Sequence, residues 1–82
     1  MNNEQAMAAI TSAIEQVAPE VDASTLDPAV AFRRELDLDS LDFLNIVQAL
    51  NDSTGVAIPD TDYDRVATLS DLASYLVNHA GA

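Results

Sequence analysis

The side chain best placed to do chemistry in this 82-residue chain is the hydroxyl of Ser40. It stands in Asp39-Ser40-Leu41-Asp42, which opens the apolar run Phe43-Leu44-Asn45-Ile46-Val47-Gln48-Ala49-Leu50. Backbone N–H groups at a helix start lack intrahelical partners, and the helix dipole presents its positive end there. A phosphate ester on Ser40 would therefore sit in a favourable field. Other chemistries lack their parts. A serine nucleophile needs a base, and the single histidine, His79, lies near the C-terminus with no companion ligand in sequence, so it reads as a solvated surface residue. With no cysteine there is no disulfide framework, thiolate metal site or native thiol nucleophile, and any thiol has to arrive on an attached group. Asp60, Asp62, Asp64 and Asp71 match positions 1, 3, 5 and 12 of an EF-hand-like loop, but Arg65 replaces the glycine of the sharp turn and Pro59 interrupts the entering helix. The run reads as a solvated acidic turn, with no metal site expected. Autonomous catalysis is not expected either.

The charge narrows the partners. Fourteen Asp and Glu oppose three arginines and no lysine, for a net charge of -11. Nothing in that balance could displace counterions from a nucleic acid, and anionic membrane surfaces are disfavoured. The same field steers basic partners toward the chain, most strongly at low salt. The hydrophobic share of 49% is too high for a disordered acidic tail, so the acidity belongs to the surface of a folded domain. A chain of this size forms one small domain, residues 1–82, and buries only roughly 60–70% of the surface its unfolded form exposes. The N-terminus carries neither a basic region nor a continuous apolar core, which predicts no signal peptide, no membrane insertion and a cytoplasmic location; a monomer is expected.

The elements that position Ser40 follow from periodicity. Met7, Ile10, Ile14, Val17 and Val21 carry the spacing of an amphipathic helix, expected over 4–18 and ended by Pro19. Pro19, Asp22, Ser24, Asp27 and Pro28 then mark a long turn-rich connection, with Leu26, Val30, Phe32 and Leu36 expected to plug into the core. Asp39 is a good N-cap and Gly55 a good stop for a second helix over 40–54. Pro59 and Asp60-Thr61-Asp62 suggest a short helix over 60–65. Thr68 and Asp71 suggest a capping-box variant opening a last helix over 69–78, which frays from Asn78 to Ala82. No segment alternates like a strand, so the expected fold is all-α, a bundle of three main helices plus a short one.

The second helix has two faces. Phe43, Ile46, Val47 and Leu50 form one apolar stripe for the core. Leu41, Leu44, Asn45 and Gln48 repeat the spacing two residues earlier, about 200° around the helix, and should face solvent beside Ser40. Two exposed leucines rimmed by Asp39 and Asp42 would make a docking patch for a basic partner.

These features together resemble the acyl carrier proteins over nearly the whole chain. The likeness runs through the amphipathic first helix, Phe32-Arg33-Arg34-Glu35-Leu36, Asp39 to Leu50, Gly55-Val56-Ala57-Ile58-Pro59 and Thr68 to Leu76. The resemblance implies that Ser40 takes a covalent 4′-phosphopantetheine arm from coenzyme A, whose thiol holds acyl groups as thioesters for fatty acid, polyketide or specialised lipid synthesis. It also implies that Asp39, Leu41 and Asp42 meet a phosphopantetheinyl transferase, and that acyl-transferring or condensing enzymes dock through basic patches.

Three departures from the family pattern involve four positions. Asp37 stands where a glycine is usual, which bears on the loop before the serine. Asn45 and Asn51 replace glutamates along the recognition helix, pointing to dedicated partners. Phe43 is bulkier than the usual small or β-branched residue and is expected to make any acyl pocket shallow. The alternative is an interaction subunit that keeps the same fold and acidic surface without ever being modified.

Overall fold

The computed structural model describes residues 1–80, and among these the secondary structure is helical, with one isolated antiparallel bridge between Ala31 and Thr68. Helix α1 spans Asn3–Val17. Asn2 accepts from the Gln5 N–H at 2.8 Å while the Gln5 side chain accepts from the Asn2 N–H at 3.0 Å, a reciprocal cap that satisfies two otherwise free donors. The helix ends at Ala18 because Pro19 forces the residue before it out of the helical region.

The long connection is more ordered than a turn-rich loop. It holds a 3₁₀ turn at Ala23–Thr25 and a one-turn helix, α2, at Phe32–Glu35. Of the four expected plugs, Phe32 is fully buried, while Leu26, Val30 and Leu36 are half-buried. The connection is pinned to the far end of the chain, since the Ser70 N–H donates to the Pro28 carbonyl at 3.0 Å beside the Ala31–Thr68 bridge.

Helix α3 spans Ser40–Thr54 and stops at Gly55, whose φ of 76° is the left-handed conformation that glycine adopts without a steric penalty. The extended segment that follows buries Val56 and Ile58 and exposes Ala57. Residues Asp60–Arg65 form a 3₁₀ helix rather than an α-helix. No side chain caps its start and buried Val66 terminates it, so the stretch never lengthens enough to gain i→i−4 bonds.

Helix α4 spans Leu69–His79. Only one half of its expected capping box forms: Thr68 Oγ1 accepts from the Asp71 N–H at 3.0 Å, while the Thr68 backbone pairs with Ala31. The helix runs regularly to His79, and Ala80 closes it by donating to the Leu76 carbonyl at 2.8 Å. The Gly81 and Ala82 part of the expected fraying lies outside the described residues.

Helix α1 packs against both α3 and α4. The shared core is built on Ile10, Ile14, Phe32, Phe43, Ile46, Leu50, Val66, Leu69, Leu72 and Leu76. No polar or charged side chain among the described residues is buried. Among the described residues, every polar side chain therefore reaches the surface at least in part.

Candidate functional site

The geometry around Ser40 starts four residues upstream, at the end of α2. The Leu38 N–H donates to the Arg33 carbonyl at 2.8 Å and the Asp37 N–H to the Arg34 carbonyl at 3.3 Å. This is the Schellman closure of a helix, which requires a left-handed residue at the first position past the helix cap, between the two donating N–H groups. Asp37 supplies it with φ 54°. The loop therefore takes a conformation that suits glycine, held instead by an aspartate, one of the few other residues that tolerates it.

The chain then enters α3 through a reciprocal cap. Asp39 Oδ1 accepts from the Asp42 N–H at 2.8 Å, and Asp42 Oδ2 accepts from the Asp39 N–H at 3.4 Å. The neighbouring Ser40 is exposed, and its hydroxyl makes no hydrogen bond among the described residues. The Ser40 and Leu41 backbone N–H groups, in the first turn of α3, are likewise unpaired. A phosphodiester at Ser40 would thus meet two free donors, the positive end of a four-turn helix and open solvent. The donor set fits a phosphate-linked group.

The two faces of α3 separate cleanly. Phe43, Ile46, Val47 and Leu50 are buried, while Leu41, Leu44, Asn45 and Gln48 are exposed, Leu41 at 64% and Leu44 at 42%. Together with Asp39 and half-buried Asp42 they form one continuous surface beside Ser40.

Behind that surface, Phe43 is the centre of a tight aromatic group. Tyr63 meets it edge-on with centroids 5.0 Å apart, Phe32 lies at 6.0 Å, and the Arg33 guanidinium carbon sits 4.5 Å from its ring centre. Outside this group lies an open cleft of about 590 Å³, bounded by α2, the approach to Ser40 and the Asp60–Arg65 turn. Sequence reasoning missed this cleft. Its walls come from two segments far apart in sequence, near 31–38 and 63–67, and no local pattern joins them.

His79 is exposed and stacks on Tyr75 at 4.0 Å, remote from Ser40 in sequence. Asp62 is engaged by the Tyr75 hydroxyl at 2.8 Å, and among the described residues no three carboxylate, imidazole or thiolate groups converge to hold a metal ion. No helix among the described residues is long and apolar enough to cross a membrane.

The family model described as "Phosphopantetheine attachment site" matches residues 8–76. The chain is also similar to an acyl carrier protein of Rubrobacter xylanophilus, with 34% identity over 62 residues covering 76% of each chain. An acyl carrier protein of Lactobacillus acidophilus gives 34% over 62 residues, 76% of this chain and 78% of that one. Mitochondrial acyl carrier protein 2 of Arabidopsis thaliana matches at 34% over 62 residues, 76% of this chain and 49% of its own length. The chain belongs to the acyl carrier protein family: it is a carrier of acyl groups and not an enzyme, and its prosthetic group is 4′-phosphopantetheine.

Proposed function

We propose that Ser40 is the attachment point of the arm, and that Asp39, Leu41, Asp42, Leu44, Asn45 and Gln48 form the surface on which partner enzymes dock. The observation that carries this reading is the division of roles at the head of α3. Asp39 closes the helix end, which leaves the exposed Ser40 hydroxyl with no structural task. The bound group supplies a terminal thiol on which acyl chains ride as thioesters.

The chain's own contribution is presentation. Among the described residues no base is hydrogen-bonded to the Ser40 hydroxyl, so its proton leaves to the phosphopantetheinyl transferase as the phosphodiester forms. The free N–H groups of Ser40 and Leu41 favour the phosphate once it is in place. Leu41 and Leu44 offer apolar contact, while Asp39 and Asp42 orient basic patches on the transferase and on acyl-transferring or condensing enzymes. Tethering keeps the acyl group at high effective concentration near successive partners.

The working unit in this reading is one domain, residues 1–82, acting as a monomer in the cytoplasm and serving fatty acid, polyketide or specialised lipid synthesis. Neutral Asn45 and Asn51 on the exposed side of α3 favour dedicated partners over general ones.

Intact mass after incubation with coenzyme A and a broad-specificity transferase tests the proposal, with Ser40→Ala as control. A phosphopantetheine mass gain that is absent in the variant is the expected result. A folded wild-type protein that gains nothing, with this transferase and with one from its own source, would instead favour an unmodified acidic interaction subunit.

A further inference from the structure

We infer that the cleft beside the Ser40 loop is a surface subsite for the acyl group carried on the arm, and that it favours acyl groups bearing carbonyl or hydroxyl oxygens over saturated chains. The inference rests on Ser40 as the attachment point.

Charge is the first argument. The chain has three cations, Arg33, Arg34 and Arg65, and two of them line this one cleft together with Asp37 and Asp64. Two arginines against two aspartates make its walls formally neutral in a chain of net charge -11. Guanidinium N–H groups donate to carbonyl oxygens, and carboxylates accept from hydroxyls. The Arg33 guanidinium carbon lies 4.5 Å from the Phe43 ring centre, and a guanidinium carries five N–H donors for such bonds.

Position is the second. Asp37 and Leu38 line the cleft and directly precede Asp39-Ser40. The Leu38 and Ser40 Cα atoms are two residues apart, so they lie within about 7 Å of each other. A group tethered at Ser40 therefore starts beside the wall of the cleft.

The third argument is what the interior refuses. Phe43, 2% exposed, fills the volume behind the cleft with Phe32 and Tyr63 packed on it, so a saturated chain is not offered an apolar channel there. Laid in the cleft instead, a saturated chain would strip water from guanidinium and carboxylate groups without replacing the lost hydrogen bonds. An acyl group with oxygens along its first carbons replaces them, while Leu38 and Tyr63 cover the carbons between.

The test is amide chemical-shift mapping of ¹⁵N-labelled protein. It is loaded at Ser40 with pantetheine analogues bearing 3-oxo-octanoyl or octanoyl groups through a stable amide. Relative to the unacylated arm, the 3-oxo chain should move Arg33, Arg34 and Leu38, and the octanoyl chain should leave them in place. Arg34 is exposed, and Arg34→Gln should cut the 3-oxo shifts by about two-fold or more with the α1 and α4 resonances unchanged. Equal shifts from both chains would overturn the inference, as would movement of Ile46, Val47, Leu50 and Leu72. If Ser40 accepts no arm, the attachment reading fails but the cleft is still decided by titrating unmodified protein with N-acetylcysteamine derivatives of the same two acyl groups. Saturable shifts at Arg33 and Arg34 from the 3-oxo compound alone support the subsite, and their absence rejects it.

Discussion

The Tyr75 hydroxyl donates to Asp62 Oδ2 at 2.8 Å, tying α4 to the 3₁₀ turn across thirteen residues of sequence. Burial pushes the Tyr75 phenol above its ordinary value of 10.0. The bond to Asp62 and the Asp62 charge push the same way, against a smaller opposing effect of Arg65. A tyrosine whose value is raised on folding contributes stability that is fully present below its unfolded value and lost as pH climbs through the folded one. Tyr75→Phe should therefore cost about 1 kcal/mol at neutral pH, discounted for partial solvent exposure. The gap between variant and wild type should close as pH rises above 10. Thermal unfolding of both proteins between pH 7 and 11 checks this, and a constant gap would contradict it.

Asp37 carries a left-handed backbone without being glycine. Asp37→Gly removes the clash between Cβ and the backbone but frees the unfolded chain, so the net gain should be modest, about 0.5 kcal/mol. Asp37→Val, β-branched at the same φ, should lose more than 1 kcal/mol, about the cost of a left-handed non-glycine residue. Urea denaturation midpoints measure both.

Asp39 has a capping role and a proposed docking role, and substitution can divide them. Asp39→Ala should destabilise the fold by about 1 kcal/mol through loss of the bond to the Asp42 N–H. Asp39→Ser keeps a capping oxygen and should stay near wild-type stability, yet be modified more slowly at low salt because a carboxylate is gone. Equal modification rates for Asp39→Ser and wild type would remove Asp39 from the docking surface.

Phe43→Val should cost about 2 kcal/mol, since it empties part of a fully packed site between Phe32 and Tyr63. In exchange, an octanoyl arm should move the Ile46 and Leu50 resonances, which it is expected to leave in place in wild type. Unchanged resonances in a folded variant would mean that Phe43 is not what closes the interior.

Leu41 and Leu44 are exposed, so Leu41→Ala and Leu44→Ala should shift stability by no more than about 0.5 kcal/mol. Turnover by a partner enzyme should nevertheless fall. Matched losses of melting temperature and turnover would instead make these leucines structural.

Much of this molecule is readable from its chain because the readable parts are local. Asp39, Gly55 and Thr68 mark helix ends through their own side chain or lack of one, and the Phe43-Ile46-Val47-Leu50 stripe repeats at the helical period. Asn2 and Gln5 carried the same kind of signal at the start of α1. Helix α2 was invisible because four residues cannot display a period, and only Phe32 in it is buried. Val56 and Ile58 alternate about exposed Ala57, a two-residue rhythm too brief to be read as structure. At the site, Ser40 and its neighbours are contiguous and so were legible. The Arg33–Arg34 cleft unites residues near 31–38 with Tyr63, Asp64 and Ala67, an arrangement that only folding creates.

The separation of Asp39 from Ser40 at the head of α3 also bears on folding thermodynamics. Were the serine itself the cap, esterifying it would disturb a bond worth about 1 kcal/mol, and modification and folding would be linked. With the cap held one residue earlier, esterification breaks no bond of the fold, and the modified protein should be at least as stable as the unmodified one. The chain can then be made, folded and stored ahead of the transferase, and its supply of competent carrier is set by the kinetics of modification alone.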